Sequence, residues 1–151
     1  MLVPGNKAPP FTLVSDSGEP VSLAGLKGKQ VVLYFYPKDD TAGCTVEACE
    51  FRDSWAAVRK AGAVVLGVSP DDVASHVKFR KKFALPFPLL ADPDHATAER
   101  YGVWGEKSMY GRKYFGINRT TFVIDAEGKI RTVFERVKPK GHAAQVLEAL
   151  R

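Results

Sequence analysis

PKDDTAGCTVEAC, residues 37–49, follows the apolar run VVLYFY (31–36) and leads into a segment with helical character out to about Lys60. In that segment Cys44, Ala48, Phe51, Trp55 and Val58 recur at intervals of four, three, four and three residues, one stripe of a helix. Cys44 is therefore expected in the first turn, facing the core. The unbroken apolar character of 31–36 suits a central strand covered on both faces. Strand, cysteine, helix is the unit around which the other elements are read.

Cys49 does not share the stripe. Five residues place it about 140° round the helix and about 7.5 Å further along, which puts the two Cα atoms about 8–9 Å apart. A disulfide usually needs Cα atoms closer than about 7 Å. The pair can bond only after this helix unwinds locally, a property unsuited to a structural staple and suited to a redox cycle.

Working outward, Phe11 to Val14 and Glu19 to Leu23 flank the turn formers Ser15 to Gly18, which predicts an N-terminal hairpin. Gly62 ends the cysteine helix, and AVVLGVS (63–69) is a second central strand. Ser69, Pro70, Asp71 and Asp72 read as a cap, a first-position proline and first-turn acids, so the next helix is expected over about 70–83. On it His76 falls among apolar residues, as a packed or hydrogen-bonded histidine does. A short strand at 89–91 and a helix at 94–101 follow. The stretch 102–119 reads as an irregular loop whose Trp104, Met109, Tyr110, Tyr114 and Phe115 tie it to the body or form an apolar collar. Residues 120–125 and 129–135 make a second hairpin, and a helix from about Gly141 closes the chain. That order describes a layered α/β domain with a mixed sheet, a single domain over 1–151.

The 151 residues, 45% hydrophobic and 26% charged, fit one core of ordinary size. No apolar run approaches the ~20 residues of a membrane span. The N-terminal residues lack a secretory pattern, so no membrane association and a cytoplasmic location are expected. There the two cysteines are more in keeping with catalysis or metal binding than with a permanent cross-link. His76, His95 and His142 show no ligand-like spacing to the cysteines, which disfavours zinc. The formal charge of +5 is uneven, net −2 over 1–75 and +7 over 76–151. No Lys/Arg run exceeds Arg80 to Lys82, however, which argues for a solvated surface rather than a nucleic-acid footprint.

The thiolate is the reactive form of cysteine, and first-turn amides favour the anion. Thr41, three residues earlier, is placed to cap the helix or to turn its hydroxyl towards the sulfur or a bound oxygen. Gly43 is a small residue past which a ligand could approach the backbone amides. Without C-x-x-C or a Cys–His arrangement, a second cysteine held out of reach fits trapping of a sulfenic acid formed first at Cys44, hence a peroxide substrate.

Pro37, Thr41 and Cys44 reproduce P-x3-T-x2-C, and this chain resembles the peroxiredoxins, in particular the bacterioferritin comigratory protein or peroxiredoxin Q branch. CTVEAC followed by FRD, then FYP, GVWGEK and YFGINRTTFVIDAEGKI, carry the likeness over nearly the whole chain. The resemblance implies a thioredoxin-like fold, a central mixed sheet flanked by helices with an N-terminal hairpin. It implies an antioxidant, thiol-dependent peroxidase acting on hydrogen peroxide and organic hydroperoxides, without cofactor or metal. In it Cys44 is the peroxidatic cysteine and Cys49 the resolving one, closing an intramolecular disulfide that thioredoxin or a similar dithiol protein reduces. Thr41 donates to the peroxide, Pro37 shields the thiolate and Arg119 supplies a fixed positive charge to thiolate and peroxide. A monomer is expected. The branch usually has proline after the threonine where this chain has Ala42, which should leave the folded helix start less preorganised. The nearest rival reading is a thiol–disulfide oxidoreductase acting on proteins, and a non-catalytic thioredoxin-like binding module is a further one.

Overall fold

The structure is a computed structural model that describes residues 2–150. Strands β1 (Thr12–Ser15) and β2 (Pro20–Ser22) form the N-terminal hairpin, followed by a 3-10 turn at Ala24–Leu26 and β3 (Gln30–Phe35). Helices α1 (Ala42–Asp53) and α2 (Trp55–Lys60) lead to β4 (Ala63–Ser69), α3 (Val73–Phe83), β5 (Leu89–Ala91) and α4 (Ala96–Arg100). The chain then runs through β6 (Trp104–Met109), β7 (Arg112–Ile117), β8 (Thr120–Ile124), β9 (Ile130–Phe134) and α5 (His142–Leu150).

Seven strands make one mixed sheet in the order β2-β1-β5-β4-β3-β8-β9. β3, β4 and β5 are parallel neighbours, and the other pairings are antiparallel. β3 lies between β4 and β8, and its side chains alternate between two cores, as the period of two in a strand requires. Val32, Tyr34 and Tyr36 enter one core with Cys44, Ala48 and Phe51 of α1, Val58 of α2, Phe79 of α3 and Val146 of α5. Val31, Leu33 and Phe35 enter the other with Phe11, Leu66, Tyr101 and Phe122. Apolar residues on both faces are what an internal strand needs, which is why VVLYFY shows no alternation.

Tyr34 is the hinge of the first core. Its ring stacks on Phe51 at 5.0 Å and meets Phe87 edge-on at 6.0 Å, pairs worth about 0.5–1.5 kcal/mol each beyond their area. The register sets Tyr34 beside Gly67, where a Cβ would lie 2.9 Å from the tyrosine ring and from Leu89. Glycine at 67 is the space that lets the tyrosine lie under α1.

Four expectations need correction. The helix after Cys44 breaks at Ser54 into α1 and α2, leaving Trp55 half-buried while Cys44, Ala48, Phe51 and Val58 are buried. The third helix begins at Val73, because Asp72 caps it by accepting from Ser75 N at 2.8 Å, while the Ser69 hydroxyl turns to Asp71. The helix expected over 94–101 is shorter, Ala96–Arg100. The stretch expected to be irregular is the two-stranded hairpin β6–β7, turning at Tyr110 (φ 52°) and Gly111 (φ 78°). Of its five apolar anchors only Trp104 packs inward, stacked on His95 at 3.8 Å, while Met109, Tyr110, Tyr114 and Phe115 are exposed.

Candidate active site

β3 delivers the chain to the site. Tyr36 N still bonds to Val68 O at 3.0 Å, then the backbone leaves the sheet through Pro37, half-buried, and a tight loop with Asp40 at φ 57°. A buried network fixes that loop. Tyr36 donates its hydroxyl to Asp39 Oδ1 at 2.6 Å, Ser75 donates to Asp39 Oδ2 at 2.8 Å, and the Asp39 amide donates to Asp71 Oδ2 at 2.8 Å. His76 sits with Nδ1 2.7 Å from Asp39 Oδ2 and Nε2 2.9 Å from Leu90 O, a buried, hydrogen-bonded histidine as expected. Asp39, Asp71 and His76 bring ligand-type atoms within 4.8 Å of one another, but each atom already has a protein partner, so the cluster reads as a bolt for the loop. Outside it, Lys82 of α3 donates to Asp40 at 2.7 Å.

Thr41 is the residue before α1, extended at φ −94° and ψ 157°, and its carbonyl accepts the first helical bond from Thr45. Its side chain makes no cap hydrogen bond. The hydroxyl donates to Lys38 O at 2.8 Å, on the exposed side of the loop. Cys44 lies in the first turn, 1% exposed, and closes the first core from above Tyr34.

Arg119, which precedes β8, reaches across to this turn. Its Nη2 donates to Cys44 Sγ at 3.3 Å, and its Nη1 donates to Glu47 Oε1 at 2.7 Å. The guanidinium passes over Gly43, where a Cβ would stand 3.2 Å from Nη2 and 3.3 Å from Pro139 Cγ. A side chain at 43 would therefore press on Arg119 and Pro139. Glu47 was absent from the sequence-based site. An acidic residue three positions after Cys44, on the buried side of an otherwise apolar stripe, was the signal that could have found it.

The electrostatics is a balance between burial and pairing. Burial pushes the Glu47 carboxyl up to about 7, against the charge and hydrogen bond of Arg119, which pull it down. Burial opposes the charge on Arg119, but Glu47 and then Cys44 outweigh it and hold the guanidinium above its ordinary value. Glu47 Oε2 and the Tyr34 hydroxyl are buried without a hydrogen-bond partner among the described residues. Burial, then Glu47 and Cys44, keep that tyrosine protonated far above its usual range.

Cys49 is half-buried on another side of α1, and neither cysteine is in a disulfide. α1 is continuous across both, so the structure is the wound, dithiol state. Arg52 lies one turn beyond Cys49 and donates to Phe83 O at 2.9 Å and to Asp53 at 3.0 Å. Asp53, and next Cys49, push this arginine above its ordinary value. Of the residues singled out in the sequence, Cys44, Gly43 and Arg119 meet here, Thr41 and Pro37 border them, and Cys49 stands apart.

Residues 4–133 match the model of the AhpC/TSA family. Peroxiredoxin Bcp of Bacillus subtilis is 50% identical over 147 residues, covering 97% of this chain and 94% of the relative. Peroxiredoxin Bcp of Escherichia coli is 47% identical over 150 residues, 99% and 96% of the two chains. Among solved structures, a cysteine-to-serine mutant of Xylella fastidiosa PrxQ superposes with a TM-score of 0.94 at 34% identity, covering 99% of this chain and 96% of that one. Xanthomonas campestris bacterioferritin comigratory protein, solved as trapped intermediate and ligand complexes in work on its alkyl peroxide reduction activity, gives 0.89 at 41% identity over 93% and 89%.

Proposed function

The chain belongs to the AhpC/TSA family and is a peroxiredoxin of the Bcp or PrxQ kind with the thioredoxin-like fold of that group, and from that premise we propose a two-cysteine cycle run by Cys44 and Cys49. As a peroxiredoxin it takes a peroxide as substrate and a thiol as reductant. The observation that carries the finer reading is the double grip of Arg119, on the Cys44 sulfur at 3.3 Å and on Glu47 at 2.7 Å.

In the first step the Cys44 thiolate attacks one peroxide oxygen. An S–O bond forms as the O–O bond breaks, sulfur is oxidised to sulfenic acid, and the other oxygen leaves with a proton as water or an alcohol. Arg119, already fixed against the sulfur, stabilises charge building on the oxygens, the preorganised-donor mode of catalysis. Thr41 joins by exchanging its bond to Lys38 O for one to the peroxide, and Pro37 limits water at the sulfur. Hydrogen peroxide and organic hydroperoxides fit this scheme equally.

In the second step the first turns of α1 unwind and the Cys49 thiolate attacks the sulfenic sulfur. A disulfide forms and the oxygen leaves as water. A thioredoxin-type dithiol then exchanges with that disulfide, becoming oxidised itself and restoring both cysteines. The test is to mix reduced protein with one equivalent of hydrogen peroxide and map the product by mass spectrometry. An intramolecular Cys44–Cys49 bond is expected. A Cys44 that keeps its thiol, or a bond between two chains alone, overturns the cycle.

A further inference from the structure

The segment that presents Arg119 is held by its own carbonyls. Asn118 O accepts from the Thr120 hydroxyl at 2.8 Å, and Arg119 O accepts from Val137 N at 3.1 Å. Ile117 O, two residues before the arginine, accepts at 2.8 Å from the ammonium of Lys107 on β6. That bond needs the lysine stem to lie across the hairpin. Gly116 is the opening for it, since a Cβ there would stand 3.3 Å from Lys107 Cδ. Gly105, one residue from the hairpin's base pair Trp104–Ile117, likewise leaves room for Asn118, whose Nδ2 would be 3.2 Å from a Cβ at that position.

We propose that Lys107 is a positioning residue for the peroxidatic site, fixing the Ile117–Arg119 segment so that the guanidinium meets Cys44. The inference rests on the reading of Arg119 as the charge that serves Cys44. Its electrostatic neighbours support it. Burial and then the nearby Arg119 push the ammonium below its ordinary value, while Cys44 pulls it back up, so the lysine lies in the field of both site residues. It is also partly buried, which limits screening by salt compared with the exposed bases of the same hairpin, Arg112 and Lys113.

The test is single-turnover oxidation of the reduced full chain by hydrogen peroxide, followed by stopped flow. Lys107→Met, which loses tie and charge, is expected to slow sulfenic acid formation by about tenfold. Lys107→Gln, which keeps a donor for Ile117 O, should fall between it and the parent, and Lys107→Arg should restore the rate to within about twofold. Melting curves of each variant separate loss of fold from loss of rate, and Lys113→Met reports the effect of a merely nearby charge. A parent-like rate in Lys107→Met, or a loss that Lys107→Arg does not rescue, overturns the proposal. Arg119→Met in the same assay keeps the two readings apart. If it is slow while Lys107→Met is fast, only the inference about Lys107 fails. If both are fast, the reading of Arg119 fails with it.

Discussion

The two cysteines share one helix of twelve residues and live in different surroundings. Around Cys44 almost every neighbour is fixed, with the aromatic core below, Arg119 and Glu47 to one side and a bolted loop upstream. Around Cys49 the surface is half open, and Arg52, one turn further on, is anchored to the end of α3. Rigidity at the first cysteine suits a reaction whose barrier falls when charge is met by groups already in place. Looser packing at the second suits a group that must travel before it reacts.

The sharpest division of labour comes from Cys49→Ser. The first turnover with peroxide should stay within about twofold of the parent, while disulfide formation and recycling by a dithiol protein vanish and sulfenic acid accumulates. Mass spectrometry and a thiol-specific trap read both. Next in size, Arg119→Met should slow the first step by about a hundredfold and leave reduction of a preformed disulfide unchanged. Equal loss in both steps would erase the contrast between the two ends of α1.

Glu47 sharpens the comparison through stability. Its carboxyl is held at about 7 in the folded chain, above the ordinary 4.5 expected on unfolding, so folding retains a proton between those values. The stabilising contribution is complete below about 4.5 and is lost as pH rises through about 7, a change of up to about 3 kcal/mol. Glu47→Gln should flatten that slope in urea denaturation across the range, and an unchanged slope would contradict the reading. Gly43→Ala forces the guanidinium or Pro139 to move and is expected to slow sulfenic acid formation by about tenfold without touching resolution. Smallest is Ala42→Pro. Ala42 is the first residue of α1 and exposed, so proline fits there, stiffens the wound state and should slow disulfide closure by about threefold. Greater over-oxidation of Cys44 under excess peroxide should accompany it.

Much of this was legible in the sequence because local pattern and burial agree. The strands at 31–36 and 63–69 are recognisable from unbroken apolar runs, and the Cys44 stripe from its period. Tertiary partners are what periodicity does not encode. Arg119 is one of 22 basic residues, and only its resemblance to a family motif marked it, since nothing local says that it crosses to α1. Glu47 is ordinary within a helix, and its burial and its bond to Arg119 are tertiary facts. Ser69 offers a plausible cap in sequence, but its hydroxyl is spent on Asp71, and Asp72 caps α3 three residues later. The hairpin at 104–117 was read as a loop because four of its apolar residues face outward, which removes the alternation that betrays a half-buried strand.

The upstream bolt has a mechanical consequence. Between the Asp40–Lys82 contact and the ties of Glu50 to Gly141 and Arg52 to Phe83, residues 41–49 form a short rope pinned at both ends. In the cycle proposed above, any slack released by the helix would be confined to that span, and the search of one sulfur for the other would be a small-loop closure with a correspondingly small entropic cost. On that proposal the sheet behind it need not register the event, and each cycle would loosen a single knot.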